Sequence, residues 1–387
     1  MDQESIAEWL IGEARVLGDG VAVVEALGQR LVNAGLPLWR LRVAQRVANP
    51  LLSAWGVIWR GDDVPTRDYV VPTAWLDTGT WIGSPFQYVT EQNTSLRKRL
   101  TNLDETRDHV VFHELAAEGG TDFFCMALEY GDGTLQGTSI ATNHPDGFSD
   151  SHIALFEGLK NPLAAAMEPI AMRRSLASLL KTYLGAGPSR SVVAGTFRRG
   201  ELSVMKAVVM MTDMRDFTAK SNSWGEEALL RALDQYFEIT VDAVHAHGGD
   251  VLKFLGDGLL AVFPVENPDL APEACGAALA AALEARAGLA GLNEQRRAAG
   301  EEAIDFGTAL HLGQVTYGNV GSPDRLDFTV IGETVNVTSR IEGLCKVLGE
   351  PVLVTGAVAN HVPNGLRALE PQTVRGVAEP VPIFAPE

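Results

Sequence analysis

Two aspartates stand where this chain could hold a divalent cation. Asp257 lies in Lys253-Phe254-Leu255-Gly256-Asp257-Gly258, between the loosely alternating run Asp250 to Phe254 and the apolar run Leu259 to Phe263. Both flanks pattern as strands, and Gly256 and Gly258 bracket Asp257 where a tight strand-to-strand turn is needed. Asp213 follows the apolar run Lys206 to Met211, inside Thr212-Asp213-Met214-Arg215-Asp216-Phe217-Thr218. Taken singly, each Asp also reads as a turn former. Two such carboxylates at neighbouring strand ends of one sheet would make an oxygen-rich site suited to Mg²⁺.

Two further motifs join them, Gly318-Asn319-Val320-Gly321 and Gly332-Glu333-Thr334-Val335-Asn336-Val337-Thr338-Ser339-Arg340. Together these motifs, in this order, resemble the class III nucleotidyl cyclases from about Leu202 to Phe384. The resemblance implies that the ribose 3′-oxygen of a nucleoside triphosphate attacks its α-phosphorus in line while pyrophosphate leaves, with two divalent metal ions (Mg²⁺ or Mn²⁺) holding both groups. It assigns Asp213, Met214 and Asp257 to the metals. It assigns the backbone of the loop Met214 to Thr218, with Phe217 and Thr218, to the triphosphate, and a late cation to the same group, a place Arg375 can take. Asn336 would orient the ribose and Arg340 would brace the developing negative charge. The two are four apart and share a helix face; as plain surface residues they would be a helix-entry Asn and a solvated charge. Asp216 departs from the pattern, standing where the family often has Gly, and its charge should weaken nucleotide binding unless it points away or touches metal.

Lys253 and Thr329 match the family's purine-reading pair. Adenine accepts at N1 and donates from N6, whereas guanine does the reverse, so a donor-only Lys253 suits adenine N1 and the Thr329 hydroxyl can accept from N6. A solvated strand-end Lys and an ordinary strand Thr are the plainer reading. Thr in place of the commoner Asp resembles the subgroup linked to bicarbonate response. In the family, Lys253 and Asp257 serve opposite active sites, so the resemblance implies a head-to-tail homodimer and an inactive monomer.

Composition sets the limits. The chain has 387 residues, 46% hydrophobic and 21% charged, with room for two or three globular domains. A net charge of −18 argues against general binding to nucleic acid or anionic membrane. No apolar run approaches the ~20 residues of a membrane span, and the start Met-Asp-Gln-Glu-Ser is acidic, unlike a secretory signal. Cys125, Cys275 and Cys345 are scattered, as reduced core thiols of a cytoplasmic protein would be.

Ahead of the cyclase-like half, residues 1–150 pattern as a helix to Ala34 broken at Gly18-Asp19-Gly20, strands at Leu36 to Arg46 and Leu52 to Arg60, a polar stretch from Gln92 to Leu100, a short helix within Thr106 to Glu118, and a hairpin of Phe123 to Tyr130 with Leu135 to Ala141. This order, with Asp146-Gly147-Phe148-Ser149-Asp150 entering the next helix, resembles a GAF-type sensor, with a PAS-type module as competitor. It implies regulation by a small molecule or protein. His109, His113, His144 and His152 could suggest haem or metal, but surface positions explain them as well. Trp39, Trp55, Trp59, Trp75 and Trp81 read as core and rim aromatics.

Residues 151–200 read as a helical connector and transducing segment. Phe156, Leu159, Leu163, Ala166, Ile170, Arg173, Ala177, Leu180 and Leu184 trace a heptad seam suited to pairing with a second copy or to packing on the helix's own domain. Pro162 and Pro169 argue against one straight helix. Gly185 to Pro188 should end it, and Ser189 to Gly200, with Arg190, Arg198 and Arg199, would lead into the first catalytic strand. From 201 to 387 strands and helices alternate as β-α-β-β-α-β with extensions, in which Gly248-Gly249-Asp250 is a helix stop. The expected architecture is α+β: a GAF- or PAS-like α/β sensor domain, a helical connector, and a ferredoxin-like catalytic domain. The expected activity is that of an adenylate cyclase acting on ATP; a guanylate cyclase and a catalytically silent ligand-sensing dimer are the alternatives.

Overall fold

The computed structural model describes residues 3–61, 64–195, 202–322 and 324–387, which divide into two compact units, Met1–Leu180 and Lys181–Glu387. In the first, strands β1 (Arg40–Arg46), β2 (Leu52–Trp59), β3 (Arg67–Pro72), β4 (Ser95–Arg99), β5 (Asp122–Glu129) and β6 (Leu135–Thr142) form one antiparallel sheet in the order β3-β2-β1-β6-β5-β4. Strand periodicity sends Leu41, Val43, Trp55, Val57 and Trp59 to one face, where they pack with Val24, Leu27 and Leu31 of the helix Gly20–Asn33. Phe123, Cys125 and Ala127 point to the other face, against Val89, Phe112 and Leu115. Helices on both faces explain why β5 is buried almost throughout.

The polar stretch from Gln92 to Leu100 contains β4, which local patterning gave no reason to expect. Its charges are satisfied by tertiary contacts: Arg97 donates from Nη2 to Oδ2 of the fully buried Asp122 at 2.9 Å, and Phe148 N–H donates to the same oxygen at 3.0 Å. Two of the four N-terminal histidines serve helix ends. His109 accepts from Val111 N–H at 3.2 Å, and His152 completes a capping box with Ser149. No group of three or more His, Cys, Asp or Glu able to hold a metal occurs among the described residues.

The heptad stretch divides differently from its pattern. One helix covers Asp150–Gly158, and a second runs unbroken from Lys160 to Leu184 with Pro169 inside it. Pro162 falls in the first turn, where its missing N–H costs nothing. The carbonyl that Pro169 leaves unbonded is that of exposed Ala165, which can turn to water. Phe156, Leu159, Leu163, Ala166 and Ile170 are buried in the core of the first unit, whereas in the later half of the seam Arg173 is exposed and Ala177, Leu180 and Leu184 are half-buried. After Gly185 a further helix, Ala186–Val193, opens the second unit; residues 196–201, including Arg198 and Arg199, lie outside the described residues.

In the second unit β7 (Leu202–Met214), β8 (Asp250–Leu255), β9 (Gly258–Val265) and β10 (Phe306–Gly321) lie in the sheet order β10-β7-β9-β8. Helices Glu226–Ala246 and Ala271–Ala298 make the connections on either side of the β8–β9 hairpin. This fourth-first-third-second order is the ferredoxin-like arrangement expected. β11 (Leu326–Ile331) folds back on β10 as an arm, while β12 (Val352–Thr355), β13 (Leu366–Ala368) and β14 (Ile383–Pro386) extend the sheet beyond β10. By length and composition the helical stretch Pro268–Ala298 could cross a membrane, contrary to the expectation that no stretch would. Its Ala271, Cys275, Ala278 and Ala282 face is buried against Val208, Met210 and Leu259, the packing of a core helix.

Candidate active site

Antiparallel register sets Asp213 opposite Gly258, so the end of β7 lies beside the β8–β9 turn. Met214 N–H donates to the Asp257 carbonyl at 3.0 Å and fastens the two together. Gly256 takes a positive φ of 71° in the turn, a conformation that favours glycine. At Gly258 an added Cβ would lie 2.6 Å from the Thr212 carbonyl oxygen and 3.1 Å from Asp213 Oδ1. Only glycine lets the hairpin approach the strand this closely, and the approach is what puts both Asp residues at one sheet end.

Burial, and secondarily the charge of Asp257, push the Asp213 carboxyl up to about 6, with Arg215 opposing. A third carboxylate, Glu342 of the helix Glu333–Leu348, is pushed up to about 7 by burial and then by Asp213. Arg215 Nη1 is 3.9 Å from Glu342 Oε1, too far for a hydrogen bond, and that oxygen has no hydrogen-bond partner among the described residues. Asp213 and Glu342 thus both face the Arg215 guanidinium while Asp257 adds a further negative charge beside them, an excess that a divalent cation would neutralise. No closed cage of protein ligands surrounds the site among the described residues. Mg²⁺ is usually held through one or two carboxylates, with water and substrate phosphates completing its octahedron, so this open donor set fits it. The Met214 side chain is buried in the core, which leaves only its main chain to face the site.

This crowding has a measurable consequence. An Asp213 carboxyl that titrates near 6 when folded and near 3.8 when unfolded stabilises the fold least above pH 6, because the unfolded state then keeps its charge at no cost. Asp213→Asn should therefore raise the stability of the metal-free protein at pH 7.5 by ~1–2 kcal/mol, a gain that shrinks as the pH falls towards 4. Thermal melts in chelator at several pH values would read it. A destabilised variant at pH 7.5 would contradict the crowded site.

The loop after Asp213 turns into the short helix Phe217–Ser223. Asp216 has φ 58°, and its Oδ1 accepts from Lys346 Nζ at 2.6 Å, an ion pair that keeps its carboxyl below the usual range. The carboxylate that stands in place of the family's Gly is thus held by a lysine of the helix Glu333–Leu348. Phe217 is half-buried and Thr218 exposed. Asn336 and Arg340 are exposed on that same helix, while Val337, Ile341 and Cys345 point into the core. Arg340 Nη1 donates to the Arg375 carbonyl, so Arg375 meets it through its main chain and leaves its own side chain exposed. Among the described residues no hydrogen bond or ion pair links Asp213 or Asp257 to Asn336 or Arg340.

A register shift between Val251 and Lys253 re-aims β8. Lys253 Nζ lies 2.5 Å from Asp327 Oδ2 on β11, two residues before Thr329. Thr329 is buried, and its hydroxyl makes a long 3.4 Å contact to the Val330 carbonyl. A cavity of about 690 Å³ borders the loop at Arg215, Asp216, Lys220 and Lys346 but includes neither Asp213 nor Asp257. Four residues of these clusters carried no signal in the motifs: Arg215, Glu342, Lys346 and Asp327. Only Asp327 could have been found by pattern, since strand alternation puts it on the Thr329 face.

Residues 202–368 match the family model described as the adenylate and guanylate cyclase catalytic domain. The chain is 37% identical over 155 residues to adenylate cyclase 1 of Rhizobium meliloti (strain 1021), which covers 40% of this chain and 23% of that protein. It is 33% identical over 167 residues to an adenylate cyclase of Anabaena cylindrica, covering 42% of this chain and 32% of that one. The matches thus span about a quarter to a third of those relatives' length. The crystal structure of the adenylyl cyclase CyaB from P. aeruginosa is similar at 27% identity with a TM-score of 0.45, covering 48% of this chain and 96% of that one. Residues 202–368 are thus identified by their match to the adenylate and guanylate cyclase catalytic domain, the domain of the class III cyclases.

Proposed function

We propose that the protein converts ATP to 3′,5′-cyclic AMP and pyrophosphate, at sites shared across a homodimer and regulated by its N-terminal unit. The observation that carries this reading is the meeting of Asp213 and Asp257 at one sheet end, within the segment that matches the cyclase catalytic domain. The class is generally dependent on divalent metal, and Asp213, Asp257 and the Met214 main chain would hold two Mg²⁺ or Mn²⁺ ions. When bound, these ions neutralise phosphate charge and orient the attacking and leaving oxygens. The loop to Phe217 and Thr218 receives the triphosphate, with Arg375 as a further cation. Asn336 orients the ribose, and Arg340 braces charge that grows on the α-phosphate, where losing such a donor costs ~10²–10³ in rate.

Several features support sharing between chains. Asn336 and Arg340 are exposed, and among the described residues no hydrogen bond or ion pair joins them to Asp213 or Asp257 of their own chain. Phe254 and Leu255 at the hairpin tip, with Val320, Leu326 and Ile331 on the β10–β11 arm, leave apolar surface for a second copy to cover. For the N-terminal unit, a six-stranded antiparallel sheet between helical layers suits a GAF- or PAS-like sensor, whose regulator is a small molecule or protein.

ATP is favoured over GTP because Lys253 can only donate, and because the curated relatives named above are adenylate cyclases. A catalytically silent platform would have no need of Asp213, Asp257, Lys253, Asn336 and Arg340 together. Product formation from ATP and GTP, measured side by side with Mg²⁺ or Mn²⁺, tests the reading. Cyclic AMP should form at least ~10-fold faster than cyclic GMP, and chelator should stop both. Cyclic GMP formed as fast or faster would overturn the choice of base.

A further inference from the structure

We propose that Asp327 is the positioning residue of the purine-reading lysine, and so a determinant of ATP over GTP; this rests on the reading of Lys253 as the adenine N1 donor. Lysine is a poor reader by itself. Its ammonium sits on a four-carbon stem with many rotamers and can donate in any direction, so a free lysine discriminates weakly between a base edge and water. Here the stem is largely covered, with the side chain 24% exposed, and Nζ is held 2.5 Å from Asp327 Oδ2. That contact uses one of three N–H donors and leaves two for a ligand.

The strands fix the arrangement. β11 pairs with β10 so that Asp327 lies opposite Val320 and Thr329 opposite Gly318, two residues apart and therefore on one face. The register shift in β8 turns Lys253 towards that face. Asp327 thus aims the ammonium at the edge beside Thr329, where an adenine would present N1 and N6. Guanine would put its N1–H donor against the same ammonium, so a fixed lysine rejects it more strongly than a mobile one. Asp327 is 61% exposed and belongs to no core cluster, so replacing it removes the anchor without emptying the interior.

The test is steady-state kinetics on the full-length protein with ATP and with GTP. Asp327→Ala should raise KM for ATP about three- to tenfold with kcat within about twofold, and lower the ATP-to-GTP preference by a similar factor. Asp327→Asn, which keeps an acceptor oxygen in place, should restore most of the loss. In a Lys253→Ala background, Asp327→Ala should change nothing further. Three results would overturn the proposal: an unchanged KM in Asp327→Ala, equal losses of kcat and kcat/KM, or an additive effect in the lysine-free background. Lys253→Ala separates the two layers. If it abolishes base preference while Asp327→Ala does not, the positioning role alone is wrong; if it leaves preference intact, Lys253 does not read the base and both fall.

Discussion

Replacing Asp257 by alanine should remove cyclase turnover and leave the fold intact. The loss should be at least ~10³-fold in kcat, because the residue is one of two carboxylates proposed to hold metal, and the nearby Glu342 forms no three-residue metal-holding group with them among the described residues. The backbone of the turn should survive. Its geometry depends on Gly256 at φ 71°, on Gly258, and on the hydrogen bond from Met214 N–H to the Asp257 carbonyl, none of which involves the Asp257 side chain. Removing it also relieves the repulsion that adds to burial in raising Asp213. Activity with Mg²⁺ and Mn²⁺, beside size-exclusion elution and a melt, would read the outcome. Substantial metal-dependent turnover would sink the assignment of two aspartates.

The second large effect is a gain. Asp213→Ala and Arg340→Ala should each be nearly dead as homodimers, one through the metal site and the other through the brace on the transition state. Co-expressed, they should form heterodimers in which, if sites are shared across the proposed dimer, one site carries both lesions. The other would draw Asp213 and Asp257 from one chain and Asn336 and Arg340 from its partner, all intact. Random pairing gives about half heterodimers with one working site of two, so roughly a quarter of wild-type activity should return. Within one chain, Arg340 reaches the Arg375 carbonyl and neither aspartate, which is the arrangement that a site completed by a partner needs. Activity no higher than either variant alone, with heterodimers confirmed, would place the site within a single chain.

Much of this site was legible before any tertiary contact was known, and for local reasons. The turn at Asp257 follows from two glycines between two strand-patterned runs, and Asp213 from an apolar run that has to end. The helix face of Asn336 and Arg340 follows from their four-residue spacing. The break at Gly18-Asp19-Gly20 is local in the same way, with Asp19 capping the next helix through Val21 N–H at 3.1 Å. The sequence by itself thus determined the identity of the chemical groups and the element that carries each.

Tertiary structure decided which groups touch. Lys253 and Asp327 are 74 residues apart, and Asp216 and Lys346 are 130 apart, so no periodicity links them; sheet register and helix placement do. Glu342 stands on the helix face opposite to the one its neighbour Arg340 occupies, and only docking of that helix beside β7 brings it to Asp213. The same logic made a strand of Ser95–Arg99, whose charges read as loop until Asp122 was buried against them, and it covered the first half of the heptad seam with the core of the N-terminal unit. Periodicity reports which face of an element is apolar. What covers that face, and which distant charge answers a buried one, is a matter of long-range packing free energy, and no local window of residues contains it.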